Sequence, residues 1–165
     1  MRCKILSLLA ALTLLAACES APENTANTGG AATAATPATS PTAAGPRPGS
    51  QQDLVANVGD RVFFAYDKFD VSPEARQTLE RQADWLKRYP NVTVTVEGHC
   101  DERGTREYNL ALGERRATSL KNYLLARGVD ANRVSTISYG KERPAVLGST
   151  EASWAQNRRG VTTVN

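Results

Sequence analysis

The densest chemistry in the chain lies in one octet, Glu97-Gly98-His99-Cys100-Asp101-Glu102-Arg103-Gly104, followed within one helix length by Arg115-Arg116. Both charge signs therefore converge on one junction between a loop and a helix, where a guanidinium can grip a carboxylate through two parallel hydrogen bonds. Hydrolysis is the competing chemistry, with Glu97 and Asp101 as paired carboxylates. It is disfavoured, since the two stand four residues apart across a Gly-His-Cys turn and no activated nucleophile or oxyanion donor set is visible. His99 is the chain's single histidine, so neither a second imidazole for a metal nor a recognisable nucleophile accompanies it. It is expected to order a strand end by hydrogen bonds, and no metal or cofactor is expected. Taken alone, an Asp in a loop before a helix is commonly a cap, and a helical Arg commonly faces solvent.

The elements that must hold these groups can be read from periodicity. Residues 61–66 form a β-branched and aromatic run that suits a buried strand. Ser72-Pro73-Glu74 supplies an N-cap, a proline at the first helical position and an acid in the first turn. Ala75, Leu79, Gln82 or Ala83, and Leu86 then recur at helical spacing until Pro90 stops the pattern. Residues 92–97 alternate valine with a polar residue and predict a strand whose valines face a core. A second helix is predicted over 108–126, with Leu112 or Gly113, Ala117, Leu120 and Leu124 as its stripe and Gly128 as its C-terminal stop. A strand over 134–139, a short helix over 151–157 and a closing strand over 160–164 complete the pattern. Strands alternating with helices of this length predict an α/β two-layer sandwich, helices packed on a mixed β-sheet.

At the octet and the second helix the sequence resembles a known family. Gly98-His99-x-Asp101-x-x-Gly104, Tyr108-Asn109 and Leu112-x-x-x-Arg116-Ala117 are similar to the peptidoglycan-binding domain of the outer-membrane protein A type. Glu102-Arg103-Gly104-Thr105, Gly113 to Ala117 and Ser138 to Pro144 resemble the peptidoglycan-associated lipoprotein branch. The resemblance covers roughly residues 60–165. It implies a ligand, the diaminopimelate side chain of the peptidoglycan stem, whose free end is a zwitterion. It also implies roles: Asp101 for the ammonium, Arg116 for the carboxylate, Asn109 and backbone N–H groups as neutral donors, and Asp67 as a weaker carry-over. Cys100 departs from the Thr or Ala common at its position. Asn157-Arg158-Arg159 also matches, either as support for the pocket or as a charged strand start. TolB and the Tol proteins are further partners the resemblance implies, and an adaptor that binds mainly protein is the alternative function.

The N-terminus carries a different message. Arg2 and Lys4 precede an apolar run, Ile5 to Ala17, of signal-peptide length. It closes as Leu15-Ala16-Ala17-Cys18, which resembles the bacterial lipobox, so residues 1–17 read as a lipoprotein signal and Cys18 as the acylated first residue of the mature protein. Glu19 in place of Asp favours outer-membrane sorting over inner-membrane retention. Three acyl chains, at about 0.8 kcal/mol per buried methylene, would make a lasting anchor. Residues 18–50 are rich in Ala, Thr, Pro and Gly with no hydrophobic period, and read as a disordered tether that could extend toward about 100 Å. With Cys3 removed and Cys18 lipidated, Cys100 is the one thiol left, which excludes an intramolecular disulfide.

Residues 51–165 read as one domain, large enough for a real core. Their charge is near balance, 17 basic residues (20 less Arg2, Lys4 and Arg47) against 15 acidic (17 less Glu19 and Glu23). That argues against a nucleic-acid partner, which calls for a marked basic excess. No apolar run reaches the roughly 18 residues a spanning helix needs.

Overall fold

The computed structural model describes residues 45–165. The predicted signal segment, Cys18 and the tether up to residue 44 lie outside the described residues. Four strands form a single sheet: β1 (Arg61–Phe63), β2 (Val94–His99), β3 (Val134–Gly140) and β4 (Arg159–Val164). Their order is β1-β4-β2-β3, with β4 antiparallel to both β1 and β2, and β2 parallel to β3. The helices are α1 (Gln51–Asp53), which runs on as a π-helical turn over Leu54–Val58, α2 (Pro73–Arg88), α3 (Arg106–Ala126) and α4 (Glu151–Asn157). The architecture is the mixed-sheet α/β sandwich that the alternation predicts, with α2 and α3 packed together and against the sheet.

Local chemistry sets the element ends. The Ser72 hydroxyl accepts the Ala75 N–H at 3.2 Å and Pro73 opens α2. Thr105 caps α3 in the same way through the Tyr108 N–H, so this helix begins two residues before its predicted start. Gly128, at φ +88°, closes α3: its N–H reaches the Leu125 carbonyl and that of Val129 reaches Leu124, the paired bonds of a Schellman motif. Val94 and Val96 on β2 are fully buried among Leu79, Leu86, Leu120 and Leu124. Gln82 lies in this core with both ends satisfied, accepting from the Thr162 hydroxyl at 2.9 Å and donating to the Gly59 carbonyl at 2.7 Å.

Two strands differ from the pattern. β1 stops at Phe63 rather than Tyr66, because the carbonyls of Ala65 and Lys68 accept from the Arg116 side chain and the chain turns at Asp67, whose φ is 56°. β2 starts at Val94 rather than Val92, because the Val92 carbonyl is taken by Arg133 at 2.7 Å. It runs on to His99 across an irregularity where Gly98 pairs with Ser138 and His99 with Gly140. The α1 segment is absent from the sequence reading. It is held from a distance, by the Trp85 indole N–H on Asp53 at 2.9 Å and the Val164 N–H on Gln51 at 2.7 Å.

Candidate functional site

The residues just beyond β2, the first three turns of α3 and the loop after β1 meet around a cavity of about 430 Å³. All four residues proposed as ligand contacts, Asp67, Asp101, Asn109 and Arg116, line it. They come from separate elements: Asp67 from the turn after β1, Asp101 from the first residues beyond β2, and Asn109 and Arg116 from one face of α3. α3 can lie this low on the sheet because Gly98 and Gly113 carry no side chains where helix and strand meet.

Arg116 is fully buried, where its place on a helix would suggest solvent. Its Nε donates to the Lys68 carbonyl at 2.8 Å, Nη1 to His99 at 2.8 Å and Nη2 to Ala65 at 3.2 Å. The Phe64 ring lies under the guanidinium, 5.0 Å from its centroid. Three of its five N–H donors therefore tie the β1 loop to the end of β2, and two remain. Burial pulls its pKa below the usual value, opposed by the nearby Asp101 charge.

Asp101 is also buried, and both oxygens are engaged. Oδ1 accepts from the Arg103 backbone N–H at 3.1 Å and Nε at 3.2 Å, while Oδ2 accepts from Arg103 Nη2 at 2.6 Å and Arg158 Nη1 at 3.4 Å. Burial works against the charged carboxylate, but these hydrogen bonds outweigh it and hold the group below the usual carboxylate range. Asn109 spends its amide N–H groups on the carbonyls of Arg103 at 2.7 Å and Thr105 at 3.0 Å. The neutral donor expected of it is thus committed to the loop, and its oxygen is the atom left for a ligand. Asp67 accepts a hydrogen bond from the Tyr108 hydroxyl at the cavity's rim.

Three neighbours complete the site: Asn157 and Arg158 belong to the triplet expected either to support the pocket or to start a strand, whereas Arg103 is not among the expected site residues. Arg103 is stacked between the Tyr66 and Trp154 rings, 4.1 Å from each centroid. Arg158 supports the pocket from behind, donating to the Phe64 carbonyl at 3.1 Å and to Glu151 at 2.7 Å as well as to Asp101. Its neighbour Asn157 clasps the loop before α4, accepting from Ala145 and Val146 and donating to the Val146 carbonyl. The sequence places Arg103 in the charged octet and in the Glu102-Arg103-Gly104-Thr105 motif, and its position two residues after Asp101 lets it close on that carboxylate.

His99 and Cys100 serve structure. The His99 ring is buried, with Nε2 3.3 Å from Glu97 and Nδ1 without a partner. Burial, helped by the Arg159 and Arg143 charges, lowers its pKa to about 4, so it is neutral at pH 7. Cys100 lines the cavity but donates its S–H to the Asn109 carbonyl at 3.3 Å, and burial raises the thiol to about 11. Glu97 does not line the cavity, so the carboxylate pair considered for hydrolysis is not assembled.

The OmpA family model matches residues 63–158, more than half of the chain and all of the cavity wall. The chain belongs to the OmpA family. Among its relatives, the peptidoglycan-associated lipoprotein of Agrobacterium fabrum is 59% identical over 115 residues, which cover 70% of this chain and 65% of that protein. The corresponding lipoprotein of Brucella melitensis is 56% identical over 118 residues, covering 72% of this chain and 70% of that one. The crystal structure of the peptidoglycan-associated lipoprotein from Burkholderia pseudomallei superimposes with a TM-score of 0.63 at 40% identity, over 64% of this chain and 90% of that one. OmpA-family membership accounts for the fold, which extends to the C-terminal domain of Helicobacter pylori MotB at a TM-score of 0.60 and only 22% identity.

Proposed function

We propose that this protein is an outer-membrane lipoprotein that binds peptidoglycan non-covalently through the diaminopimelate of the peptide stem, tethering membrane to wall. The observation that carries the reading is the convergence of Asp67, Asp101, Asn109 and Arg116 on one cavity, in a chain whose relatives at 56–59% identity bear the name peptidoglycan-associated lipoprotein. A fixed charge of each sign in a partly dry cavity suits a zwitterion and rejects a ligand that leaves one of them unpaired. The site offers charges already held by hydrogen bonds, and the neutral, buried His99 imidazole stands off the cavity wall, which is equipment for binding rather than for bond cleavage.

Lipidation of Cys18, the tether over 18–50 and the domain over 51–165 are part of the proposal, as is placement of the domain in the periplasm. Confinement by a lipid and a flexible tether raises the domain's effective concentration at the wall, so many modest contacts add to a firm attachment. TolB and the Tol proteins are proposed partners, in a role that includes envelope integrity during cell division.

Co-sedimentation of residues 51–165 with isolated peptidoglycan tests the binding arm. Wild-type domain is expected in the pellet and Asp101→Ala in the supernatant. Release of soluble muropeptides by the pure domain would make it an enzyme instead. For the anchor, Cys18→Ser should leave a folded protein that no longer fractionates with membranes.

A further inference from the structure

The Asp101 carboxylate has no vacant place for a ligand. Two guanidiniums and a backbone N–H already occupy it. An incoming ammonium must displace one of them, and exchanging one charge-assisted hydrogen bond for another gains little. Arg158 is the poor candidate to yield, since it is 7% exposed and also holds Phe64 and Glu151. Arg103 is the better one. Its side chain is 30% exposed and lines the cavity, and its Nη1 reaches only Glu151, at 3.8 Å. The Tyr66 and Trp154 rings hold its charge by their faces whether or not Asp101 is attached. Trp154 is itself anchored, its indole N–H donating to Glu102 at 3.0 Å. The guanidinium thus has a track along which to slide from Asp101 into the cavity.

We propose that Arg103 is a specificity-determining residue of this site. It closes Asp101 while the cavity is empty, and it yields that carboxylate to a ligand whose ammonium arrives with a carboxylate that Arg103 then grips, beside the two N–H groups Arg116 has left. The inference rests on the zwitterion reading of the cavity. A stem ending in lysine presents a side-chain ammonium with no carboxylate on the same carbon, so displaced Arg103 is left with no new anion beside it. A stem ending in diaminopimelate replaces the bond it breaks. Selectivity then arises from the cost imposed on the wrong ligand as much as from contacts to the right one.

The test uses the full chain in detergent micelles and two soluble tripeptides, L-Ala-D-Glu-meso-diaminopimelate and L-Ala-D-Glu-L-Lys, which differ by one carboxylate. Calorimetry should find wild type binding the diaminopimelate stem about tenfold tighter or more. In Arg103→Ala that ratio should collapse to within about threefold, with the lysine stem bound no more weakly than by wild type. Arg103→Gln, which keeps most of the side chain, should show the same collapse and serves where alanine disturbs folding. Trp154→Ala, with Arg103 present but unclamped, should give an intermediate ratio. An unchanged ratio in both Arg103 variants, or an equal loss of both stems in a variant with wild-type thermal unfolding, would overturn the proposal. Wild type binding neither stem, or both equally, would overturn the zwitterion reading and this inference together, whereas a selective wild type whose ratio survives in both Arg103 variants would sink this inference alone.

Discussion

Gly98 on β2 and Gly113 on α3 meet backbone to backbone: a Cβ on Gly98 would lie 1.8 Å from the Gly113 carbonyl oxygen. Neither partner is a flexible side chain, so one methyl group would push the helix off the sheet. The same helix carries Asn109 and Arg116, and Asp101 follows two residues beyond the end of the same strand, so this contact sets the depth of the cavity. Gly98→Ala should therefore cost about 1 to 3 kcal/mol or more as overpacking. Its unfolding midpoint in urea should fall, and peptidoglycan co-sedimentation should weaken with it; a wild-type midpoint would mean the contact is looser than drawn.

Asp101 and Arg116 should separate under mutation, although both line the cavity. Arg116→Ala removes the side-chain donor from the buried His99 carbonyl and from the partly buried carbonyls of Ala65 and Lys68, so it should destabilise the domain by about 1 to 3 kcal/mol or more as well as abolish binding. Asp101→Asn keeps the shape, and Arg158 retains Glu151. It should lower affinity more than tenfold, the roughly 2 to 5 kcal/mol expected when one member of a buried charge pair is lost, while the domain remains folded. Paired thermal melts and binding isotherms would distinguish the two patterns.

His99 should make the fold acid-sensitive well above the carboxylate range. Its pKa falls from 6.5 to about 4 on folding, so between those values the unfolded chain binds the proton and the folded one does not. Stability is then full above pH 6.5 and declines toward pH 4, with a slope of up to about 1.4 kcal/mol per pH unit. Denaturant unfolding of wild type and His99→Gln across that window should show the slope in the first and its loss in the second.

Cys100 should be inert in the native domain. The thiol is 3% exposed and raised to about 11, so almost no thiolate is present at pH 8. Iodoacetamide should leave residues 51–165 unmodified, as read by intact mass, until denaturant is added. Rapid native alkylation would show that the cavity opens to Cys100 on its own.

Much of the fold was legible along the chain. Ser72-Pro73 and Gly128 act within a turn of their own position, so the start of α2 and the end of α3 follow from nearest neighbours, whereas the Thr105 cap starts α3 two residues earlier than periodicity predicts. The valines of β2 announced its buried face by alternation alone. Where the reading slipped, a distant side chain had taken a backbone carbonyl: Arg116 shortens β1 and Arg133 delays β2. The α1 segment escaped for the same reason, being held by Trp85 and by β4 rather than by its own periodicity.

By itself the sequence determined which groups are available: one octet with both charge signs, a single histidine, one thiol in the domain, and a family motif that singled out Asp101 and Arg116. Tertiary structure alone decided how those charges are spent. Arg116 is engaged by carbonyls 17 to 51 residues away, and Asp101 by Arg158 at 57 residues. Spacing along a chain specifies which face a side chain shares with its neighbours. It does not specify which hydrogen bonds a buried charge must make to stay charged, because those partners are chosen when the layers close and water leaves.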